Sequence, residues 1–461
     1  MKKHSKSILI ISLILIVATI AIYNRTMDII DPPIPLGFDD SIALQKLLDK
    51  GGVIDLGDKT YNIYHQLELR SDTTITSSGA KLVKLFNKDG SEYLFTSKRP
   101  TLKNVTISNI TVDLKGHRNV LDDNTRFFSY YKNLSNVTID NVTVENTTGY
   151  VVEVRPRTDS PNGKSKGLTV SNCTINTIDE PEGPMIWLLE SENFVIENNY
   201  ISSGKGQVWL AYSKNGLINN NQFLNVDNYW SPDAHLGGVE LYTACENITI
   251  SNNKITSAQD SDDSYIVGLR VKNSNYIVIE GNEIQWDNER SEAINIRKDE
   301  VYDINPTGFI VRDNTITGRT PEGIQVVTIV SDATITNVEV SNNTMLDKSI
   351  VFHPTTNAEN IFYNDVVVDG NDCAQIKFHG LQSENVTITN NNVYAFNEDM
   401  TSGTTIYARN LLGPTILNNT IYGNNLIDVI TGIDISYSGN AQVSGNEFRD
   451  VDVRIKRYKS Y

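Results

Sequence analysis

Along most of this chain apolar and polar residues alternate in short runs. Each run ends at Asn or Gly and resumes on a β-branched or apolar residue. Thirteen copies of the phrase lie between Asn104 and Phe448, among them Val105-Thr-Ile-Ser-Asn-Ile-Thr-Val112, Ile248-Thr-Ile-Ser-Asn-Asn-Lys-Ile255 and Val386-Thr-Ile-Thr-Asn-Asn-Asn-Val393. Marked by their closing apolar residue, the copies fall at 112, 144, 175, 201, 223, 255, 284, 316, 345, 373, 393, 421 and 448, a mean spacing of 28 residues. The alternation predicts strands with one buried face. The Asn or Gly predicts a sharp bend, because these residues tolerate left-handed backbone angles at least cost. Asn recurring at one place on successive turns predicts a ladder of side-chain amides. A second short strand precedes most copies, as in Val152-Glu-Val-Arg155, Val208-Trp-Leu210, Leu269-Arg-Val-Lys272 and Ile376-Lys-Phe-His379. Two or three short strands per period, with no helical pattern between them, predict one coil of a parallel β-helix. A propeller blade needs about 40–50 residues, and a leucine-rich repeat needs leucines absent here. The expected fold is an all-β solenoid of about 13 or more coils over 101–450.

The ends depart from this pattern. Lys2, Lys3 and Lys6 precede an uncharged run from Ser7 to Tyr23, so 1–27 reads as a cleaved signal peptide or a retained membrane anchor. Either one leaves the positive end inside and exports the body. Residues 28–37 contain Asp31-Pro-Pro-Ile-Pro35, a stiff linker; 38–100 form an N-terminal cap and first coils, and 451–461 a C-terminal tail. The net charge of −16 over 461 residues argues against nucleic acid as partner. Cys173, Cys245 and Cys373 are too scattered for a disulfide framework and read as buried thiols.

From Phe38 the chain reads Phe-Asp-Asp-Ser-Ile-Ala-Leu-Gln-Lys-Leu-Leu, then Gly51-Gly-Val-Ile-Asp-Leu-Gly-Asp-Lys-Thr-Tyr61 and Leu67-Glu-Leu-Arg-Ser-Asp-Thr-Thr-Ile75. This resembles the opening of the pectate-lyase superfamily: an Asp-rich, Ala-x-Gln capping helix, then the strands that start a right-handed β-helix. A cap is expected physically, since a solenoid end exposes its core. Asp39 or Asp40 is placed to cap the helix, with Ile42, Leu44, Leu47 and Leu48 over the first coil. Where many members have a glycine-rich turn, this chain has Thr76-Ser-Ser-Gly-Ala-Lys81. The resemblance implies carbohydrate-active company without naming a substrate, because one fold hosts lyases, epimerases, hydrolases and binding modules.

With the apolar residues of the second strand facing inward, an outward column follows: Glu153 and Arg155, Trp187, Trp209, Glu240 and Tyr242, Arg270 and Lys272, Asn295 and Arg297, Gln325, His353, Lys377 and His379, Tyr407 and Arg409. Sugars stack on aromatic faces and guanidinium forks match carboxylates, so the column suits an acidic polysaccharide. Trp187, Trp209, Arg155, Glu153, His353 and Lys377 are the expected substrate contacts. A lyase or epimerase needs a base and a cation at the uronate carboxylate. Arg270, Lys272, Arg297, Glu240 and Tyr242 are the candidates, joined by His235 from the loop Asn228-Tyr-Trp-Ser-Pro-Asp-Ala-His235. Asp260, Asp262 and Asp263 offer oxygen ligands for Ca2+, or form a plain acidic turn. A glycosidase using Asp233 or these loop carboxylates is the alternative enzyme, and a non-catalytic polysaccharide or partner-binding surface protein is the alternative class. The Gly-His-Gly signature of the polygalacturonases of this superfamily is absent, and Arg454-Ile-Lys456 lies beyond the last repeat.

Overall fold

The computed structural model describes residues 39–85, 93–114, 126–147, 150–155, 164–177, 183–227, 237–257, 267–287, 292–298, 305–320, 322–328, 334–354, 362–395, 403–423 and 430–458. The segments 1–27 and 28–37 lie outside these residues. Among the described residues no helix is long and apolar enough to cross a membrane.

The strands stack in three parallel ladders. The first runs Ile54, Ile75, Ile107, Ile139, Val170, Ile196, Ile218, Ile250, Ile279, Val311, Val340, Val368, Ile388, Ile416, Val443, fifteen rungs without a break. The thirteen closing residues of the repeat phrase all lie on the second ladder. Val112 pairs with Val144, Val144 with Ile175, and so on to Ile421 with Phe448. At the step from Ile316 to Met345 the paired residues are Thr315 and Thr344. The third ladder runs from Leu67 through Phe95, Phe128, Val152 and Ile186 to Ile455. All three ladders point their β-branched and aromatic rungs into one continuous core, which opens at the C-terminal end, where Val443 and Phe448 are partly buried and Ile455 is exposed. Within the segment expected as a tail, Val453–Lys456 pairs with Thr431–Asp434 and adds a rung.

The phrase Ser-Asn-Asn supplies the corner between the first two ladders. Its first Asn takes a positive φ, as at Asn252 (54°), and stays outside. Its second turns inward. Asn199, Asn221, Asn253, Asn282, Asn314, Asn343, Asn371, Asn391, Asn419 and Asn446 form the predicted amide ladder, each Nδ2 donating to the next Oδ1 at 2.9 to 3.0 Å. Each oxygen also accepts the backbone N–H of the preceding Asn, and each Nδ2 also donates to a carbonyl of the preceding coil, as Asn282 does to Ile250. In the earliest coils Ile110, Val142 and Cys173 hold the same corner, so the ladder starts at Asn199. Cys173, Cys245 and Cys373 are buried and unbridged, and burial pushes the Cys173 and Cys245 thiols up to about 12.

Helix α1 (Ser41–Leu48) covers the first coil. Only Leu44 and Leu48 of the four expected apolar residues are buried; Ile42 and Leu47 face out, because eight residues put a single stripe on the core. Asp40 does not cap α1 with its side chain but accepts from Asn62 N–H, while Asp39 accepts from Ser41 N–H.

Asn282→Ala strands the Asn253 N–H, leaves the Asn253 amide only its bond to Ile218 and takes a donor from the Ile250 carbonyl, a buried unsatisfied group costing about 1–3 kcal/mol. Denaturant unfolding should show a loss of about 3 kcal/mol or more. Asn252→Gly, at the exposed left-handed position beside it, should cost under about 1 kcal/mol.

Candidate functional site

The residue after each core rung of the third ladder points away from the core. Register places Ser129, Glu153, Trp187, Trp209, Glu240, Arg270, Asn295, Gln325, Val351, Lys377, Tyr407, Asp434 and Lys456 in one unbroken outward column. The expected stripe is therefore real in register, and Glu153 lies three rungs from Glu240. Its exposure is uneven. Glu153, Glu240, Arg270, Asn295 and Gln325 are buried, Trp187, Trp209 and Lys377 are half-buried, and Tyr242 is 40% exposed.

Arg270 is the clearest correction. Its guanidinium is 2% exposed and lies 3.9 Å from the Glu240 carboxylate, so it is placed to hold the wall together rather than to touch a polymer. Lys272 Nζ sits 3.9 Å from the same carboxylate and 4.7 Å over the Tyr242 ring. Tyr242 stands at a bulge where Ala211 pairs with Thr243, which brings its ring to 5.2 Å from Trp209. Arg297 is one rung on from Lys272. Glu153, expected as a substrate contact, is fully buried, and its carboxylate accepts from Arg126, Ser129, Tyr131 and Arg155. Lys377 follows Val351 in the column, and burial lowers the pKa of its ammonium despite the opposing charge of Glu322. His353 lies in register with Val327. His235, Asp233, Asp260, Asp262 and Asp263 lie outside the described residues, and with them the Ca2+ expectation. Among the described residues no group of three or more His, Cys, Asp or Glu is gathered for a metal.

The structure adds residues that the column omitted. Tyr150 packs 5.1 Å from Trp187, and Trp187 packs 4.8 Å from Trp209. Arg155 lies over Trp187 at 3.9 Å and Arg126 over Tyr150 at 4.7 Å and Tyr93 at 5.2 Å. Tyr93 touches Tyr131 edge-on at 6.0 Å. Rings and cations thus form one path, Tyr131–Tyr93–Arg126–Tyr150–Trp187–Trp209–Tyr242–Lys272, crossing seven rungs from Phe95 to Leu269. Arg126-Phe-Phe-Ser-Tyr-Tyr131 carried a signal: it is the next strand of the series, one period before Val152.

The profile described as a right handed beta helix region matches residues 128–267. Among solved structures the chain is similar to the surface adhesin PfbA of Streptococcus pneumoniae, with TM-score 0.57 and 19% identity over 74% of this chain and 89% of that one. The chain has the right-handed parallel β-helix fold. This β-helix is also similar to the tailspike protein of E. coli bacteriophage HK620 in complex with a pentasaccharide, with TM-score 0.50 and 13% identity over 88% and 76% of the two chains. No curated protein matches it in sequence.

At the far end of the column Asp434 is fully buried and accepts from Arg409 at 2.5 and 3.0 Å. Burial raises its carboxyl pKa, but hydrogen bonds from Arg409 and Ser436 outweigh that and hold it below the ordinary value. Its folded pKa is depressed, so its stabilisation is present above the unfolded value near about 4 and lost as pH falls below it. Asp434→Asn should lower the urea midpoint at pH 7 and flatten its acid dependence. Arg270→Ala leaves Glu240 buried with a weakened partner set and should cost about 3 kcal/mol by the same measurement.

Proposed function

We propose that this β-helix is an exported, carbohydrate-active protein that binds an acidic polysaccharide along the solenoid axis, over the third ladder. The carrying observation is the path of rings and cations from Tyr131 to Lys272. Rungs repeat about every 4.8 Å, comparable to the rise of one pyranose unit, so successive rings meet successive sugars. Trp187, Trp209 and Tyr242 supply aromatic surface for sugars, while Arg155 and Lys272, lying over two of these rings, bring charge for uronate carboxylates. The saccharide complex of the similar tailspike and the surface location of the similar adhesin support this reading.

The chemistry we assign is proton abstraction at the uronate, as in a lyase or epimerase. Glycoside hydrolysis needs two carboxyl groups within about 5–9.5 Å of each other. Among the described residues of this stretch of the column, Glu153 and Glu240 are three rungs apart, roughly 14 Å at the strand spacing, and both are buried, while Asp233, Asp260, Asp262 and Asp263 lie outside the described residues. Elimination instead asks for a cation and a proton acceptor, roles we assign to the cations and tyrosines of the path.

The test is to incubate the full chain with a panel of polyuronates, with calcium or with chelator, following binding by calorimetry and unsaturated uronates by ultraviolet absorbance. One polymer should bind and give a rise. Trp187→Ala and Trp209→Ala should each weaken binding about tenfold, equal to about 1.4 kcal/mol. Binding without product makes the protein a surface binder, and no binding to any acidic polymer sinks the reading.

A further inference from the structure

Beyond the Glu240–Arg270 region, the described part of the face holds a second set of groups suited to moving protons. We propose that the reacting centre is the cluster Tyr131, Tyr93, Arg126 and Glu153 at the N-terminal end of the ring path, with the uronate seated against Arg155 and Trp187. This rests on the reading of an acidic polysaccharide ligand.

The cluster is closely bonded. Arg126 Nη1 donates to Tyr131 Oη at 2.7 Å, to Tyr93 Oη at 3.1 Å and to Glu153 Oε2 at 2.5 Å. The two phenolic oxygens are 2.7 Å apart, and Tyr131 donates to Glu153 Oε2 at 3.1 Å. The other carboxylate oxygen, Oε1, accepts from Arg155 at 3.2 Å. Burial divides the roles. Glu153 is fully buried and Arg126 nearly so, whereas Tyr93 and Tyr131 are half-buried and part of Arg155 reaches solvent. In the complex we propose, a polymer lying on the rings meets the partly exposed Tyr93 and Tyr131 side chains and the Arg155 guanidinium, with the fixed charge of Arg126 behind them to stabilise a phenolate. At the Arg270 end the corresponding cation is shut inside the wall.

The step balances within these residues. Tyr131 Oη takes the proton from C5 of the uronate as its own phenolic proton passes to Glu153 Oε2. The C5–H electron pair becomes the C4=C5 double bond. The C4–O bond breaks with its pair left on O4, and Tyr93 protonates that oxygen. Tyr131 is then neutral, Glu153 protonated and Tyr93 a phenolate, with total charge unchanged. The Glu153 proton returns through Tyr131 to Tyr93 across the 2.7 Å contact. Arg155, stacked over Trp187 at 3.9 Å, pairs with the uronate carboxylate and makes the C5 proton more acidic.

The test uses the full chain and the polyuronate that wild type binds, comparing Tyr131→Phe and Tyr93→Phe, which keep both rings, with Tyr422→Phe on a distant coil. Thermal melts check that each variant folds. Tyr131→Phe should lower kcat at least 100-fold with KM within about threefold, Tyr93→Phe should lower kcat with the same KM, and Tyr422→Phe should match wild type. Trp187→Ala should act mainly on KM. Folded Tyr131→Phe and Tyr93→Phe variants with wild-type kcat overturn the inference and return the chemistry to the Lys272 end. Wild type that binds the polymer without forming product overturns it too, while the polysaccharide reading stands. Wild type that binds no acidic polymer removes both.

Discussion

The inner stack of asparagine amides is the constraint on which this solenoid depends. A chain that turns a tight corner on every coil must bury backbone N–H and C=O groups at that corner, away from both water and the strand ladders. From Asn199 to Asn446 one side chain per coil meets that demand, bonding the coil before it and the coil after it. Because each amide must sit directly over the next, the corner fixes where every following strand begins. A coil can lengthen on its outer loops, but it cannot slip at the corner without stranding several buried polar groups. The spacing between successive core rungs therefore varies along the chain while their register does not.

Strict register converts a one-dimensional repeat into a functional face. Strands that alternate inward and outward place every outward residue of the third ladder in a single file. Trp187 and Trp209 are neighbours in that file, and Tyr150, just before its strand, and Tyr242, at the bulge, extend them into a ring path. The cations sit at its ends and along its flank, where Arg126, Arg155 and Lys272 each lie over a ring. This contact holds a guanidinium or ammonium near the surface while its charge stays available to a carboxylate. A chain with net charge −16 can thus present a locally cationic, aromatic track.

The same file contains carboxylates, and their burial decides what they do. Glu153 is spent on Arg126, Arg155, Ser129 and Tyr131, and Asp434 on Arg409 and Ser436. Taking such a group out of water is costly unless each oxygen finds donors, and here each does. These acids organise the cations and hydroxyls around them rather than facing solvent themselves.

Much of this was legible in the residues alone. The alternation, the period near 28 and the recurring Asn determine strand, corner and stacked coil, because each follows from local backbone preference and a two-residue periodicity. The thirteen closing residues fall on one ladder for that reason, and the outward column from Glu153 to Tyr407 is in register for the same one. The tertiary structure alone decided which members of the column meet solvent. Alternation says that Arg270 points out of the core, but not that its guanidinium is covered, since that depends on everything packed over it. Nor does it reveal Tyr93, Arg126 and Tyr131 as one cluster with Glu153, for their contacts cross between coils more than twenty residues apart. Periodicity sets direction within a strand, whereas burial and contact between coils are set by how the turns stack and what covers them.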